Sequence, residues 1–364
     1  MTKTYFAPGR VNLIGEHLDY NGGPVLPAAL TMGIKGSFTK RTDNKIVLRS
    51  TTHDLYKEID LNDPIEYSPV NDWVNYPLGV ISQLTKEGHF VTPCEIVFES
   101  NLPERSGLSS SAAIEVLTGY ILLSQTEGNI NLPWLANFCK QVENEFIGLQ
   151  CGIMDQFAVA MGKADNAILL NCATLEHSYI PFELNNYKLL ILDSKKPRNL
   201  VQSKYNERKS ECEEALRILH TTSSIQHLAE ASFAQLDLIK DEVIKKRARH
   251  VVTETLRVKE TVKALRFNDL STFGRLMNAS HASLKNDYEV TGFEMDVLAQ
   301  EAQQLKGCLG ARITGGGFGG CAIALVHNDA IPEFKHFLTF KYHAATGLNC
   351  EIYESEIGNG VSGK

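Results

Sequence analysis

The segment that most constrains this chain is Asn101-Leu102-Pro103-Glu104-Arg105-Ser106-Gly107-Leu108-Ser109-Ser110-Ser111-Ala112-Ala113, set between a strand pattern (Cys94–Ser100) and a helix pattern over 111–125. In the helix, Ile114, Leu117, Ile121 and Leu122 recur at helical spacing. Strand, polar loop and buried helix bring small residues to a helix N-terminus, where unpaired N–H groups and the helix dipole favour an anion. The segment therefore reads as a phosphate loop, with a serine-rich N-cap as the structural alternative. Neither GxxxxGK[ST] nor the HRD and DFG pair of protein kinases occurs, so phosphate chemistry here would need a different scaffold.

Two further segments concentrate chemistry. Pro8-Gly9-Arg10-Val11-Asn12-Leu13-Ile14-Gly15-Glu16-His17-Leu18-Asp19-Tyr20-Asn21-Gly22-Gly23 places Glu16, His17 and Asp19 in one loop with the permanent cation of Arg10. Such groups suit adjacent hydroxyls of a polyol, although Asp19, Asn21 and the glycines could simply form a capped turn. Thr314-Gly315-Gly316-Gly317-Phe318-Gly319-Gly320 satisfies GxGxxG, but Cys321 to Val326 continues as a strand, so this is no dinucleotide fingerprint. It is either a hairpin corner or a turn pressed against the phosphate loop.

Asp155, in Cys151-Gly152-Ile153-Met154-Asp155-Gln156-Phe157, has apolar neighbours that should partly bury it. A buried carboxylate needs a partner, and an arginine would leave it ionised, either as a proton acceptor or as half of a structural ion pair. Glu143, on the preceding helix pattern over 132–148, reads by itself as surface charge. The eleven histidines contain no HExxH pair, and His281 reads as a packing residue. Eight scattered cysteines lack CxxC pairs and fit reduced thiols.

The formal charge of -7 over 364 residues argues against nucleic acid as a partner, and the mixed-sign run with Lys245, Lys246, Arg247 and Arg249 reads as a solvated helix face. No leader-like or membrane-spanning run is present, which points to a cytoplasmic protein, and with no apolar seam identifiable in the sequence a monomer is expected. The length suggests two domains in close contact. Short strands are expected within 25–60, helices over 204–220 and through 229–305, and a last strand at Cys321 to Val326. The chain reads as α+β, divided near residue 175 into 1–175 and 176–364.

Taken together, the three motifs resemble those of galactokinases, within the GHMP class of small-molecule kinases. The resemblance extends through Trp73-Val74-Asn75-Tyr76, Glu143-Asn144-Glu145-Phe146, Cys151 to Phe157 and Tyr205-Asn206-Glu207-Arg208. It implies a two-domain GHMP fold, with an N-terminal mixed sheet with helices, a C-terminal sandwich-like α/β domain, and the active site in the cleft between them. It implies ATP and Mg2+ as cofactors and transfer of phosphate to the C1 hydroxyl of galactose. By position, Arg10 and Asp155 resemble the catalytic pair, and Glu16, His17, Leu18, Asp19, Gly152 and Tyr205 the sugar-binding set. Arg105, Ser106, Gly107, Leu108, Ser109, Ser110 and Ser111 resemble the ATP phosphate loop, Trp73 and Tyr76 the adenine-side wall, and Ser111 and Glu143 the metal ligands.

Two positions depart from the family pattern. Arg105 replaces a usual glycine and bears on nucleotide affinity, while Leu18 replaces a usual threonine or isoleucine and reads as a packing variant. A kinase for N-acetylgalactosamine or another hexose, or a non-catalytic sensor of galactose and ATP, would share much of this pattern. The intact Ser109 to Ala113, Arg10 and Asp155 favour catalysis over sensing.

Overall fold

A computed structural model of the chain describes residues 2–103, 106–196 and 201–363. Arg105, and with it the expectation about nucleotide affinity, lies outside the described residues. The first half contains β1 (Lys3–Asn12), β2 (Pro24–Val25), β3 (Pro27–Lys40), β4 (Lys45–Ser50), β5 (Lys57–Asp60), α1 (Asn75–Lys86), β6 (Cys94–Ser100), α2 (Ser110–Leu123), α3 (Leu132–Val142) and α4 (Met154–Met161). There follow β7 (Asn166–Asn171), β8 (His177–Pro181), β9 (Tyr187–Asp193), α5 (Val201–Leu219), α6 (Glu242–Arg266), α7 (Leu270–Ser283) and α8 (Phe293–Gln304). The chain ends through β10 (Cys308–Ile313), β11 (Cys321–His327), α9 (Ile331–Thr346), β12 (Glu351–Glu354) and β13 (Ser362–Gly363).

Among the described residues the strands form three sheets, in the orders β13-β1-β3-β6-β4-β5, β10-β11-β9-β12 and β2-β7-β8. The first is mixed because β4 runs parallel to β6, so the opening of the chain is not a plain run of hairpins. Its central strand, β3, has 14 residues, far longer than the short strands expected within 25–60. Helices α2 and α4 pack on β1 and β3. The apolar side of α2 is closed by Ile114, Leu117, Ile121 and Leu122, each 7% exposed or less, and burial of each such side chain contributes roughly 1.5–3 kcal/mol. The second sheet is antiparallel and carries α7 and α8 against β10. Its strand β11 is buried from Cys321 to Val326, as expected for a strand with one continuous apolar run.

Several expectations change in three dimensions. A cut at residue 175 would pass through the β7–β8 hairpin, and β13 returns from the chain end to pair with β1, so no single cut separates the first sheet from the later chain. The start of 229–305 is two short 3-10 turns, Leu228–Glu230 and Phe233–Leu238. Continuous helix begins only where Asp241 caps α6 by accepting from the Val243 and Ile244 N–H groups. Arg247 does not lie on a solvated face: it is buried and bonded to Glu211, Glu289 and the Asp287 carbonyl. Glu143 is likewise buried, because it continues the face of α3 that carries Ala136 and Cys139 inward. Among the described residues no helix is long and apolar enough to cross a membrane.

Candidate functional site

A register shift between Pro8 and Arg10 interrupts the β1–β3 ladder, and such bulges re-aim a side chain. Arg10 is thereby buried, and its guanidinium grips Asp155 by two bonds, Nε to Oδ1 at 2.8 Å and Nη2 to Oδ2 at 2.7 Å. Its third nitrogen, Nη1, donates to the Gly107 carbonyl at 2.7 Å, and its backbone N–H donates to the Leu108 carbonyl at 3.1 Å. One arginine therefore ties the first motif, the serine loop and the first turn of α4 together. Ser109, the N-cap residue of α2, has φ of 60°, and this left-handed backbone sets its Oγ to donate to Asp155 Oδ2 at 2.5 Å.

Two neighbouring cavities meet at this loop. The smaller, about 330 Å³, is lined by Arg10, Glu16, His17, Asp19, Gly152, Asp155 and Tyr205, with Gly107, Ser109 and Glu143. The larger, about 590 Å³, is lined by Trp73, Phe98, His53 and Ile114. Both include Tyr76, Ser110 and Ser111, so these three residues form the shared wall. Both volumes fall within the roughly 300–1,000 Å³ of small-molecule sites.

The first motif is held in place by residues distant in sequence. Glu16 accepts from the Gly315 N–H at 2.9 Å, from Asn12 at 3.0 Å, and from Arg312, which is itself wholly buried on β10. Burial pushes the Glu16 carboxyl up to about 7 against the pull of the Arg312 cation. Asp19 faces Asp155 across the cavity; burial, then that neighbouring charge, raises it to about 6. Gly152 is required here by close approach, since a Cβ would lie 2.1 Å from Asp19 Oδ2. The glycine turn joins β10 to β11 and also presses on the serine loop: a Cβ at Gly315 would stand 3.1 Å from the Gly107 carbonyl.

Glu143 accepts hydrogen bonds from Ser111, Cys151 and Gln156, with the Gln156 Nε2 at 2.5 Å. Burial, followed by the Asp155 charge, raises its carboxyl to about 7. Among the described residues no group of three or more His, Cys, Asp or Glu could hold a metal ion, so the Ser111–Glu143 pair is not a closed protein cage.

Most of the residues singled out in the sequence converge on the two cavities, but three described ones do not. Leu18 is fully buried in the core and packs against Gly23, which agrees with a packing role and removes its side chain from the cavity wall. Leu108 lies in the core beneath the loop, and Ser106 is buried; neither lines a cavity. Conversely, Glu254, Arg312, Tyr20, Tyr288 and Gln156 shape the site without having been singled out. A charged residue inside the apolar strand Ala311-Arg312-Ile313 was the one readable signal among them.

The chain matches the family model for the GHMP kinases N-terminal domain over residues 75–163 and that for the GHMP kinases C-terminal domain over 261–344. A galactokinase galactose-binding signature matches residues 2–39. Similar curated proteins include galactokinases of Clostridium acetobutylicum, 48% identical over 98% of this chain and 93% of that protein, and of Staphylococcus carnosus, 46% identical over 98% and 93%. The crystal structure of Lactococcus lactis galactokinase complexed with galactose superposes with a TM-score of 0.95 at 43% identity, covering 99% of this chain and 95% of that one. A mevalonate kinase at 20% identity and a TM-score of 0.70 shares the fold. Full-length similarity of this order, together with the matched signature, shows that the chain belongs to the galactokinase family of GHMP kinases.

Proposed function

We infer that this chain is a cytoplasmic enzyme that transfers the γ-phosphoryl group of ATP to the C1 hydroxyl of galactose. The observation that carries this reading is the Asp155 carboxylate held by Arg10 and Ser109 in the wall of the smaller cavity. A carboxylate has about four acceptor positions, and three are already used. The fourth can receive a substrate hydroxyl, which Asp155 deprotonates or orients for in-line attack, while Arg10 balances charge on the attacking oxygen. Galactose occupies the smaller cavity beside Glu16, His17, Asp19, Gly152 and Tyr205. The nucleotide lies in the larger one, with its base against Trp73 and Tyr76 and its phosphates toward the serine loop.

Ser111 and Glu143 would hold Mg2+ with the phosphates. They are oxygen ligands suited to a hard cation, and the hydrogen-bond partners of buried Glu143 are all neutral, so its charge lacks a protein counter-ion there. When bound, the ion supplies neutralisation of phosphate charge. The protein supplies position, which is most of what phosphoryl transfer requires.

The test is a coupled ADP-release assay with Mg-ATP and galactose beside glucose, N-acetylgalactosamine and no sugar, with product identification by phosphorus NMR. Galactose-dependent ADP and an anomeric phosphate are expected; turnover only with another sugar would overturn the substrate. Asp155→Ala should abolish turnover while leaving the circular dichroism spectrum unchanged, and retained activity would remove Asp155 from the chemistry.

A further inference from the structure

Behind His17 lies a line of buried polar groups that the transfer reaction does not itself use. His17 Nδ1 is 2.9 Å from the Tyr20 hydroxyl, which is 2.7 Å from the Tyr288 hydroxyl, which is 3.0 Å from Cys212 Sγ. The other ring nitrogen, Nε2, is buried, has no side-chain partner and only the Gly316 backbone beside it, and belongs to a residue of the smaller cavity wall. The ring cannot easily turn to exchange its nitrogens. It stacks on Tyr288 with centroids 4.6 Å apart, and Tyr205 lies 5.6 Å away. Tyr288 also packs against His250 at 4.5 Å, whose nitrogens are bonded to Ser283 and to the Glu16 carbonyl.

We propose that Cys212, Tyr288 and Tyr20 form a hydrogen-bond relay that sets the tautomer of His17, placing the proton on Nε2 so that it faces the sugar as a donor. The proposal rests on reading the smaller cavity as the sugar site. The direction of the relay follows from its far end. Sulfur is a weak acceptor, so the Cys212 S–H goes to the Tyr288 oxygen, while the neighbouring Asn21 amide is held by the His17 carbonyl at 2.7 Å. Tyr288 then donates to Tyr20, and Tyr20 to Nδ1. The opposite direction would set the Tyr288 O–H on sulfur, a weak acceptor, and would leave Nε2 a bare acceptor.

Protonation states agree with this geometry. Burial, then the neighbouring His250, holds His17 well below the usual histidine range, so the ring is neutral and its tautomer matters. Burial likewise raises both tyrosines well above the usual phenol range, which keeps them donors. The three relay members are positioning residues, since none touches the reacting atoms. The consequence is selectivity: the substituent facing His17 must accept a hydrogen bond, so a hydroxyl is taken and an ammonium group is refused.

The experiment is long-range proton–nitrogen NMR of the full-length chain with labelled histidine, with and without galactose, alongside steady-state kinetics. Wild type should show His17 as the Nε2–H tautomer, and galactose should move its signals. Tyr20→Phe should leave about a tenth of His17 as the Nε2–H tautomer and so raise the galactose KM about tenfold, with the ATP KM within twofold. Tyr288→Phe, which frees the Tyr20 hydroxyl to rotate, should do the same and covers the case in which Tyr20→Phe fails to fold. An Nδ1–H tautomer in wild type, or an unchanged tautomer in both variants, would overturn the relay. His17 signals unmoved by saturating galactose would instead overturn the sugar site beneath it.

Discussion

Glu254 offers a quantitative check on how the first motif is held. This α6 residue is fully buried; Oε1 accepts from the Gly15 N–H at 2.9 Å and from Ser280 at 2.6 Å, and Oε2 accepts from Arg257 at 2.6 Å. Burial pushes its carboxyl up, but the charges of Arg257, His250 and Arg312 and the Ser280 hydrogen bond outweigh burial and bring it down to about 2 from the ordinary 4.5. A group depressed in this way stabilises the fold above the unfolded value, and the contribution fades as pH falls from about 4.5 toward about 2. At pH 7 it amounts to about 3 kcal/mol. Glu254→Gln retains an acceptor for Gly15 and loses the charge, so urea unfolding at pH 7 should show a loss of about 3 kcal/mol while the galactose KM stays within twofold. Glu254→Ala also orphans the Gly15 N–H and should raise the galactose KM without moving that for ATP. A Gln variant that loses less than about 1 kcal/mol would refute the electrostatic argument. An Ala variant with unchanged galactose KM would refute the link to the first motif.

Two further substitutions separate positioning from binding. Ser109→Ala removes a donor to the ionised Asp155, an interaction worth about 1.5–3 kcal/mol, so kcat should fall roughly 10- to 100-fold with the galactose KM within twofold. An unchanged kcat would show that Arg10 alone positions the carboxylate. Gly152→Ala would set a methyl group 2.1 Å from Asp19 Oδ2 and displace that carboxylate, so the galactose KM should rise at least tenfold while the ATP KM does not; parallel changes in both would indicate a general collapse of the site.

What could be read in the sequence was mostly local. Strand β6, the serine loop and helix α2 follow from apolar periodicity and small-residue placement, which depend on near neighbours only. Asp155 was legible as a carboxylate needing a partner, but its partner stands 145 residues away. Glu143 looked like surface charge because its partners Ser111, Cys151 and Gln156 come from other segments, and Arg247 looked solvated for the same reason. Tyr20, Tyr288 and Cys212 were silent for the same reason: each is an ordinary core-compatible residue until three separate segments bring their polar ends within hydrogen-bonding reach.

By itself, then, the order of residues determined the local elements, the three motifs and, through the first of them, the class of substrate to expect. Only tertiary structure decided which carboxylate Arg10 grips, which buried charges are compensated, and which nitrogen of His17 is left to face the cavity. The physical reason is that periodicity and turn chemistry act over a few residues. A buried charge or an unpaired nitrogen is defined by whatever the rest of the chain brings within about 3 Å of it.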